Sequence, residues 1–310
     1  MSDNKLKSTW YPVYEEPEAY FVNRQAKKYF IKEAVKYYKS LENMNQLKCV
    51  GGIIGDIIGQ RFEFRRNRQK TKDFQLYTVD SRFTDDTVMT CAIMDWLVHG
   101  NDLSETMRKW GQMFPRAGYG PMFQKWISDS TMGAYGSFGN GSGMRVSPVG
   151  YAAKNIKECL DLAEQSALPT HNHEEGIKGA QAIAASVFLA KSGAAKEDIR
   201  SYVTETFGYD LERTVDSIRP NYKFEVSCQK SVPESIICFL EGTSYEDCVR
   251  NAVSLGGDTD TQADMTGAIA EAFGYPIDDK LYNALVPTYL PDSMYHIISE
   301  FNCKFINDGK

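Results

Sequence analysis

An apolar segment with regularly spaced glycines limits the folds open to this chain more than any other feature. Residues 49–59 are almost all small or aliphatic, and glycines stand at positions 51, 52, 55 and 59. On a helix such a spacing forms a smooth stripe, which lets another backbone approach closely. No Lys-Ser or Lys-Thr pair follows directly after these glycines, which excludes a phosphate-binding loop of the Walker type. We therefore predict a buried helix, in which Asp56 must be hydrogen-bonded or lie near a cation.

Two short acidic runs stand far apart in the chain. Residues 83–87 read Phe-Thr-Asp-Asp-Thr, and residues 256–261 read Gly-Gly-Asp-Thr-Asp-Thr. Apolar residues at helical spacing follow each run, so both runs lie at predicted helix N-termini. One carboxylate can cap a helix, but adjacent carboxylates repel each other. Several converging carboxylates suit Mg²⁺ or Mn²⁺, which prefer oxygen ligands; two capped, solvent-facing helix starts are the alternative.

Two further segments carry candidate functional groups. Glu63 stands between aromatic residues soon after the glycine-spaced segment, either as an acid/base group that enters a site from a loop or as an exposed loop acid. Residues 133–150 are the part of the chain richest in glycine. Consecutive unobstructed N–H groups in such a run form a nest for a phosphate or carboxylate. A flexible linker is the alternative, although Phe138, Met144 and Arg145 argue against it.

The histidine pair at 171 and 173 invites comparison with a metal site. The acids that follow it, Glu174 and Glu175, also suit the first turn of the next predicted helix. We interpret His171 as a donor that faces a ligand, and we disfavour a metal role for His173. Tyr119, in the turn-rich loop 115–121, is a further candidate for substrate contact, because such loops carry specificity.

Composition narrows the class of protein. The 310 residues carry a formal net charge of −6, which argues against a general nucleic-acid binder. No apolar run reaches the roughly 20 residues that span a bilayer, and the start lacks the apolar core of a signal peptide. Seven scattered cysteines fit reduced core thiols. We expect a cytoplasmic protein that binds neither nucleic acid nor membrane.

Helical periodicity dominates the chain and predicts an all-α fold. We expect a single compact catalytic domain over residues 48–310, preceded by an N-terminal extension over residues 1–47. The extension contains an irregular aromatic and acidic segment, residues 1–22, and a predicted helix, residues 24–42. The irregular segment packs either on its own domain as a strap or on a partner.

These motifs, in this order, resemble the ADP-ribosylglycohydrolases, the group of dinitrogenase reductase-activating glycohydrolase and the ADP-ribosyl-acceptor hydrolases. The resemblance covers roughly residues 48–300. It implies an all-α fold and a binuclear Mg²⁺ or Mn²⁺ site. It further implies that one ion is bound by Thr84, Asp85 and Asp86, that the other is bound by Asp258 and Thr261, and that Asp260 bridges them.

The resemblance also implies roles for the remaining candidates. Glu63 matches a glutamate on a mobile loop near the scissile bond, and Glu63, Asp85 and Asp258 are the predicted catalytic residues. The predicted substrate-binding residues are Asn140, Gly141, Ser142, Gly143, Met144, His171 and Tyr119.

The expected activity is hydrolysis of the bond between ADP-ribose and a modified protein side chain, with arginine as the acceptor. Hydrolysis at C1 of the ribose passes through an oxocarbenium-like state, which a positioned carboxylate can assist. One alternative is a hydrolase of small ADP-ribose esters. Another is an immunity protein whose residues 1–22 block a cognate ADP-ribosylating toxin.

Overall fold

The computed structural model describes residues 46–63 and 68–307. The predicted extension therefore lies outside the described residues, apart from its last two. Gln46 donates a side-chain hydrogen bond to Oδ1 of Asp279 at 2.6 Å, and the backbone N–H of Leu47 donates to the Tyr282 hydroxyl at 3.1 Å. The chain thus enters the described part alongside a helix that is close to the C-terminus in sequence.

The described residues form fifteen α-helices and no β-strand beyond one isolated bridge between Gly139 and Ser227. The helices are α1 Gly51–Gly59, α2 Asp85–His99, α3 Leu103–Met113, α4 Pro121–Ser128, α5 Gly141–Met144, α6 Ser147–Ala152, α7 Ile156–Ala167, α8 Glu174–Lys191, α9 Lys196–Phe207, α10 Val215–Ile218, α11 Cys228–Glu241, α12 Tyr245–Ser254, α13 Thr259–Ala272, α14 Asp279–Tyr289 and α15 Asp292–Asn302. The predicted all-α class is confirmed.

Helical periodicity predicts helices over residues 151–166 and 211–217, and the observed helices differ clearly from both. The predicted helix over residues 151–166 is two helices, because α6 ends at Ala152 and α7 begins at Ile156. The side chain of Asn155 accepts a hydrogen bond from the N–H of Glu158 and so starts a new helix there. The predicted helix over residues 211–217 shortens to the single turn of α10.

The glycine stripe of α1 lies directly on α13, and the two helices run antiparallel. A methyl group on Gly51 would stand 2.5 Å from the carbonyl oxygen of Gly267, and one on Gly55 would stand 2.1 Å from that of Ala263. At the other end, a methyl group on Gly59 would stand 2.2 Å from the carbonyl oxygen of Thr259. The predicted close approach of a second backbone is therefore confirmed, and the partner is the helix that begins with the second acidic run.

A buried carboxylate closes the opposite end of this helix pair. Oε2 of Glu271, near the end of α13, accepts hydrogen bonds from the N–H groups of Val50 at 2.9 Å and Gly51 at 2.7 Å. These N–H groups belong to the first turn of α1, which has no side-chain cap of its own. Glu271 therefore caps α1 from a neighbouring helix.

The core surrounds α1 and α13, which are almost entirely buried. Six of the seven cysteines are buried and free, and Cys303 is free and exposed, as expected for reduced core thiols. Among the described residues, no helix is long and apolar enough to cross a membrane. The packing brings the C-terminal end of α1 and the N-terminal ends of α2 and α13 to one place, where the acidic side chains meet.

Candidate functional site

Asp56 joins the first helix to the first acidic run. Its carboxylate is fully buried and accepts hydrogen bonds from the N–H and hydroxyl of Thr84, both at 2.8 Å. It also accepts from the N–H of Thr87 at 3.2 Å and from the hydroxyl of Thr87. The expectation that this polar residue must be bonded is confirmed. Because its partners start α2, Asp56 fixes where that helix begins relative to α1.

Two groups of three carboxylates converge at the meeting point of the helices. One oxygen from each of Asp56, Asp86 and Asp260 lies within 4.8 Å of the other two. The same holds for Glu63, Asp258 and Asp260. Asp260 belongs to both groups, so the two clusters have one residue in common. The two acidic runs, separated by 168 residues in the sequence, thus form one centre.

The clustered acids have unfavourable electrostatics when no cation is present. Burial raises the pKa of Asp56 and that of Asp258 to about 6 each, and it raises the pKa of Glu63 to about 8. Burial, and then repulsion from neighbouring carboxylates, also raises the pKa of Asp86 and that of Asp260. Proteins offset such crowding with cations.

One oxygen in the centre lacks a partner among the described residues. Oδ1 of Asp86 is buried and forms no hydrogen bond with them, while Oδ2 lies 3.1 Å from the hydroxyl oxygen of Thr84, whose proton is donated to Asp56. All members of both clusters offer carboxylate oxygens, the donor type that hard divalent cations prefer. The residues present therefore fit one or two such ions, with Asp260 between them.

Three predicted metal ligands lie next to the clusters rather than in them. The Thr84 hydroxyl donates its proton to Asp56, and its oxygen accepts from the N–H of Asp86 at 3.3 Å. Thr261 is buried, and its N–H donates to Oδ1 of Asp260 at 3.0 Å. Asp85 is half-buried, and its Oδ1 stands 3.3 Å from where a methyl group on Gly118 would be. Their metal roles stay predictions, whereas Asp56 and Glu63 are cluster members that the predicted ligand set omits.

The glycine-rich segment reaches the carboxylate centre through Asn140. The side-chain nitrogen of Asn140 donates to Oδ2 of Asp258 at 2.7 Å, and both groups are buried. The hydroxyl of Ser142 donates to the carbonyl oxygen of Gly176 at 2.7 Å, and Gly143 packs against the sulfur of Met265. These side chains hold the loop in place, so any ligand contact by Ser142 would use its backbone.

The turn that follows Asn140 presents free backbone donors. The N–H groups of Gly143 and Met144 both donate to the carbonyl oxygen of Asn140, at 2.8 and 3.0 Å. Among the described residues, the N–H groups of Gly141 and Ser142 have no hydrogen-bond partner. Two adjacent free N–H groups beside the carboxylate centre support the predicted anion nest.

Tyr119 lies close to the first acidic run. Its ring packs against Phe123 with centroids 5.5 Å apart, and its hydroxyl is buried without a hydrogen-bond partner. Burial, and then the charge of Asp85, raises the pKa of this phenol. The loop 115–121 therefore adjoins Asp85, and the substrate role of Tyr119 stays a prediction.

His171 faces the glycine-rich turn. Its Nδ1 is 2.7 Å from the hydroxyl oxygen of Thr170, and its Nε2 stands 3.0 Å from where a methyl group on Gly141 would be. Burial, and then the charge of Arg145, lowers the pKa of His171, so the ring is neutral at physiological pH. By contrast, Nδ1 of His173 accepts from the N–H of Glu175 at 3.1 Å and caps α8.

The second acidic run is held from outside by the basic loop after residue 67. Nζ of Lys70 donates to the carbonyl oxygens of Arg219, Tyr222 and Leu255, at 2.7, 2.7 and 2.5 Å. Gly256, with φ of +66°, lies against the backbone of Gln69. Lys70 therefore anchors the residue that directly precedes the Gly-Gly-Asp-Thr-Asp-Thr run.

Three buried charged groups were not predicted as parts of the site. Asp264 lies one helical turn after Asp260, and both its carboxylate oxygens are buried without a hydrogen-bond partner among residues 46–63 and 68–307. Arg145 is fully buried behind the glycine-rich turn, and Glu271 caps α1. The spacing of Asp264 from Asp260 places both on one helix face and could have identified it. The burial of Arg145 and Glu271 follows from tertiary packing and leaves no local sequence signal.

Comparison with known proteins gives consistent results. A family model described as ADP-ribosylglycohydrolase matches residues 48–276. The ADP-ribosylhydrolase ARH3 of Mus musculus is 26% identical, in an alignment that covers 62% of this chain and 69% of that protein. An uncharacterized protein of Archaeoglobus fulgidus is also 26% identical, over 76% of this chain and 90% of its own length.

A solved structure shares the fold. It is described as an ADP-ribosylglycohydrolase-related protein complex and superposes with a TM-score of 0.64 at 24% sequence identity. The superposition covers 83% of this chain and 96% of the solved chain. At this sequence identity the structural similarity shows only a common fold. The evidence for a family relationship is the match to the family model.

Proposed function

Because this chain belongs to the ADP-ribosylglycohydrolase family, we propose that it removes ADP-ribose from a modified protein side chain with the help of two divalent cations. Hydrolysis of ADP-ribose linkages is the activity of the family. The observation that carries the proposal is the pair of three-carboxylate clusters that share Asp260. They lie beside the free N–H groups of a glycine-rich turn, so a cation centre and an anion nest are neighbours.

The ions would occupy the two clusters, one among Asp56, Asp86 and Asp260 and the other among Glu63, Asp258 and Asp260. Mg²⁺ or Mn²⁺ bound there would hold ribose hydroxyls and lower the pKa of a water molecule. The predicted ligands Thr84, Asp85 and Thr261 stand next to these positions and complete the proposed set.

The acids also have roles of their own in the reaction. The bond at C1 of the ribose breaks with positive charge developing on the sugar ring, and buried carboxylates stabilise such charge. Glu63 is the half-buried member of the clusters, whereas the other members are buried. It is therefore the cluster acid placed to meet the leaving atom of the side chain and to exchange a proton with it.

The glycine-rich turn supplies the binding of the diphosphate. The N–H groups of Gly141 and Ser142 are free to donate to phosphate oxygens, and His171 stands on the other side of Gly141. Fixing the diphosphate at this turn would place the attached ribose toward the carboxylates, because Asn140 connects the two. Such positioning contributes several kcal/mol to catalysis in other enzymes.

A single assay tests the activity and identifies the acceptor. ADP-ribose release is measured from arginine-modified and serine-modified peptides, with Mg²⁺, with Mn²⁺ or with EDTA. The variants are Asp258→Asn/Asp260→Asn, and Asp161→Asn as a matched control at an exposed carboxylate that pairs with Lys157. We expect cation-dependent release that the double variant loses and the control keeps. Faster release from the arginine peptide would confirm the predicted acceptor.

The alternatives make different predictions in the same assay. Release from a small ADP-ribose ester without release from either peptide would indicate a metabolite hydrolase and contradict the proposal. Blocking of a toxin would depend on residues 1–22, which lie outside the described residues. That interaction stays a prediction, tested by deleting these residues and measuring toxin binding.

A further inference from the structure

A buried cation lies directly behind the glycine-rich turn. Arg145 follows α5 and has no exposed surface. Among the described residues no carboxylate forms an ion pair with it, and the acidic groups that act on its pKa are the Tyr135 phenol and the Cys228 thiol. Burial raises the pKa of each of these groups to about 12, so both are neutral at physiological pH. The positive charge of Arg145 is therefore uncompensated by the described residues.

The guanidinium of Arg145 donates hydrogen bonds to one segment, residues 166–170. Nη2 donates to the carbonyl oxygen of Ser166 at 2.8 Å and to the hydroxyl oxygen of Thr170 at 3.0 Å. Nε and Nη1 are buried and have no hydrogen-bond partner within the part of the chain that the structure describes. The Thr170 hydroxyl oxygen thus accepts a hydrogen bond from Arg145, and this bond fixes the orientation of the hydroxyl group.

The Thr170 hydroxyl has one acceptor for its own proton. Thr170 is completely buried, so its O–H must donate inside the protein. In the described part of the chain, its remaining neighbour within hydrogen-bond distance is Nδ1 of His171, at 2.7 Å. A neutral imidazole has one donor and one acceptor nitrogen. If Nδ1 accepts from Thr170, the proton of the ring stands on Nε2.

Nε2 points toward the place where the anion nest lies. It is 3.0 Å from where a methyl group on Gly141 would be and 3.7 Å from the same point on Gly139. Gly141 is also the first of the two residues, Gly141 and Ser142, whose N–H groups are free. A proton on Nε2 would therefore add a third donor to the two backbone donors.

We propose that Arg145 and Thr170 are positioning residues that hold His171 as the neutral tautomer with its proton on Nε2, so that His171 donates to the diphosphate of ADP-ribose. The contact with the diphosphate rests on the proposed function, whereas the tautomer is a property of the free protein. The chain of hydrogen bonds runs from Arg145 to Thr170 to His171 and ends at the ligand.

The positive charge of Arg145 also helps to keep His171 neutral. A guanidinium beside the imidazole disfavours a second proton on the ring, and it lowers the pKa of His171 in addition to burial. The Tyr135 ring, with its centroid 6.4 Å from that of His171, is neutral. His171 therefore stays a neutral donor at pH values where an exposed histidine becomes charged.

The tautomer is measured by correlating the imidazole ring protons with both ring nitrogens in the ¹⁵N-labelled full-length protein. The chain has four histidines, and a His171→Gln variant assigns the signals of His171 by their loss. We expect an unprotonated Nδ1 and a protonated Nε2, unchanged between about pH 5 and 8. A proton on Nδ1 in the wild type would overturn the proposal.

Two variants of Thr170 distinguish the effect of the hydroxyl group from the effect of side-chain shape. Thr170→Val keeps the shape and removes the donor, so the two nitrogen resonances of His171 should move toward each other as tautomers mix. Thr170→Ser keeps a hydroxyl and should keep the wild-type spectrum. A wild-type spectrum in Thr170→Val would also overturn the proposal. Arg145→Met removes the nearby charge, and we expect the pKa of His171 to rise.

Ligand binding connects the tautomer to the proposed function. Binding of ADP-ribose should weaken about threefold to tenfold in Thr170→Val, the effect of one hydrogen bond, and should recover in Thr170→Ser. Unchanged affinity in Thr170→Val would exclude the diphosphate contact. If the wild type does not bind ADP-ribose, the proposed function fails, while the spectra of the free protein still decide the tautomer.

Discussion

The side-chain nitrogen of Asn140 donates a hydrogen bond of 2.7 Å to Oδ2 of Asp258. The two residues are 118 positions apart and belong to different motifs, the glycine-rich turn and the second acidic run. This bond orients Asp258 and leaves its other oxygen for the cluster with Glu63 and Asp260. It also lowers the pKa of Asp258, which burial otherwise raises. The anion nest and the carboxylate centre are therefore mechanically connected.

Replacing Asn140 by Ala should weaken cation binding. Groups that orient a ligand carboxylate typically contribute about tenfold or more to metal affinity. Without the hydrogen bond the pKa of Asp258 rises further, so the loss should be larger at pH 6 than at pH 8. Calorimetric titration with Mn²⁺ at both pH values measures this. Asn221→Ala, at an exposed position, serves as the control, and equal affinity in both variants would contradict the prediction.

The contact between α1 and α13 predicts a severe effect of one methyl group. In Gly55→Ala the new carbon would stand 2.1 Å from the carbonyl oxygen of Ala263, and backbone cannot move aside as a side chain does. We expect a loss of about 3 kcal/mol or more in the free energy of unfolding, or failure to fold. In the control Gly133→Ala nothing lies within 4 Å of the new carbon, so denaturant unfolding should change by less than about 0.5 kcal/mol.

The crowded carboxylates predict opposite effects of Asp260→Asn with and without cations. Burial and neighbouring carboxylates raise the pKa of Asp260, so its charge destabilises the cation-free fold above its ordinary pKa. In EDTA at pH 8 the variant should therefore have a higher melting temperature than the wild type. Cations that bind as proposed should stabilise the wild type by about 2.7 kcal/mol at a hundredfold excess over Kd.

The variant should lose most of this cation-dependent increase, because Asp260 belongs to both clusters. Thermal melts in EDTA and in Mg²⁺ measure both effects. An equal increase in the variant would exclude Asp260 as a shared ligand.

Glu271 predicts a pH-dependent stability difference far from the carboxylate centre. Burial raises its pKa from 4.5 to about 7, so between these values the folded state binds more protons than the unfolded state. Stability conferred by the protonated form is complete below pH 4.5 and is lost as the pH rises through 7. Glu271→Gln lacks this proton exchange.

The wild type should therefore become less stable relative to Glu271→Gln as the pH increases from about 4.5 to 8, by up to about 3 kcal/mol. Denaturant unfolding of both proteins at four pH values measures the difference, in which the titration of other groups cancels. A pH-independent difference would contradict the raised pKa.

Local sequence features were sufficient to predict the helical class and to identify the segments that meet at the candidate site. The glycine spacing in residues 51–59 predicted a close helix contact, and the acidic runs at 83–87 and 256–261 were placed correctly at helix starts. Such features act within one or two helical turns, where spacing alone determines which groups share a face.

Tertiary structure decided which carboxylates converge. Asp56 and Glu63 join the clusters because α1 packs antiparallel on α13 and ends beside its N-terminus. The order of residues along the chain contains no direct information about this contact, which depends on the register of two helices about 200 residues apart. Asp85, adjacent to a cluster member in sequence, instead points toward Gly118.

The buried charges show most clearly what the sequence determines and what the tertiary structure decides. Sequence alone identified Arg145 as an unusual residue in a glycine-rich run, but its charge acquires a consequence only when burial removes water from it. Ser166 and Thr170 become its hydrogen-bond partners, and Thr170 in turn contacts His171, because α7 ends beside α5 in the folded chain. Residue types determine what chemistry is available, and packing determines which groups are desolvated together, since solvent access is a property of the whole fold.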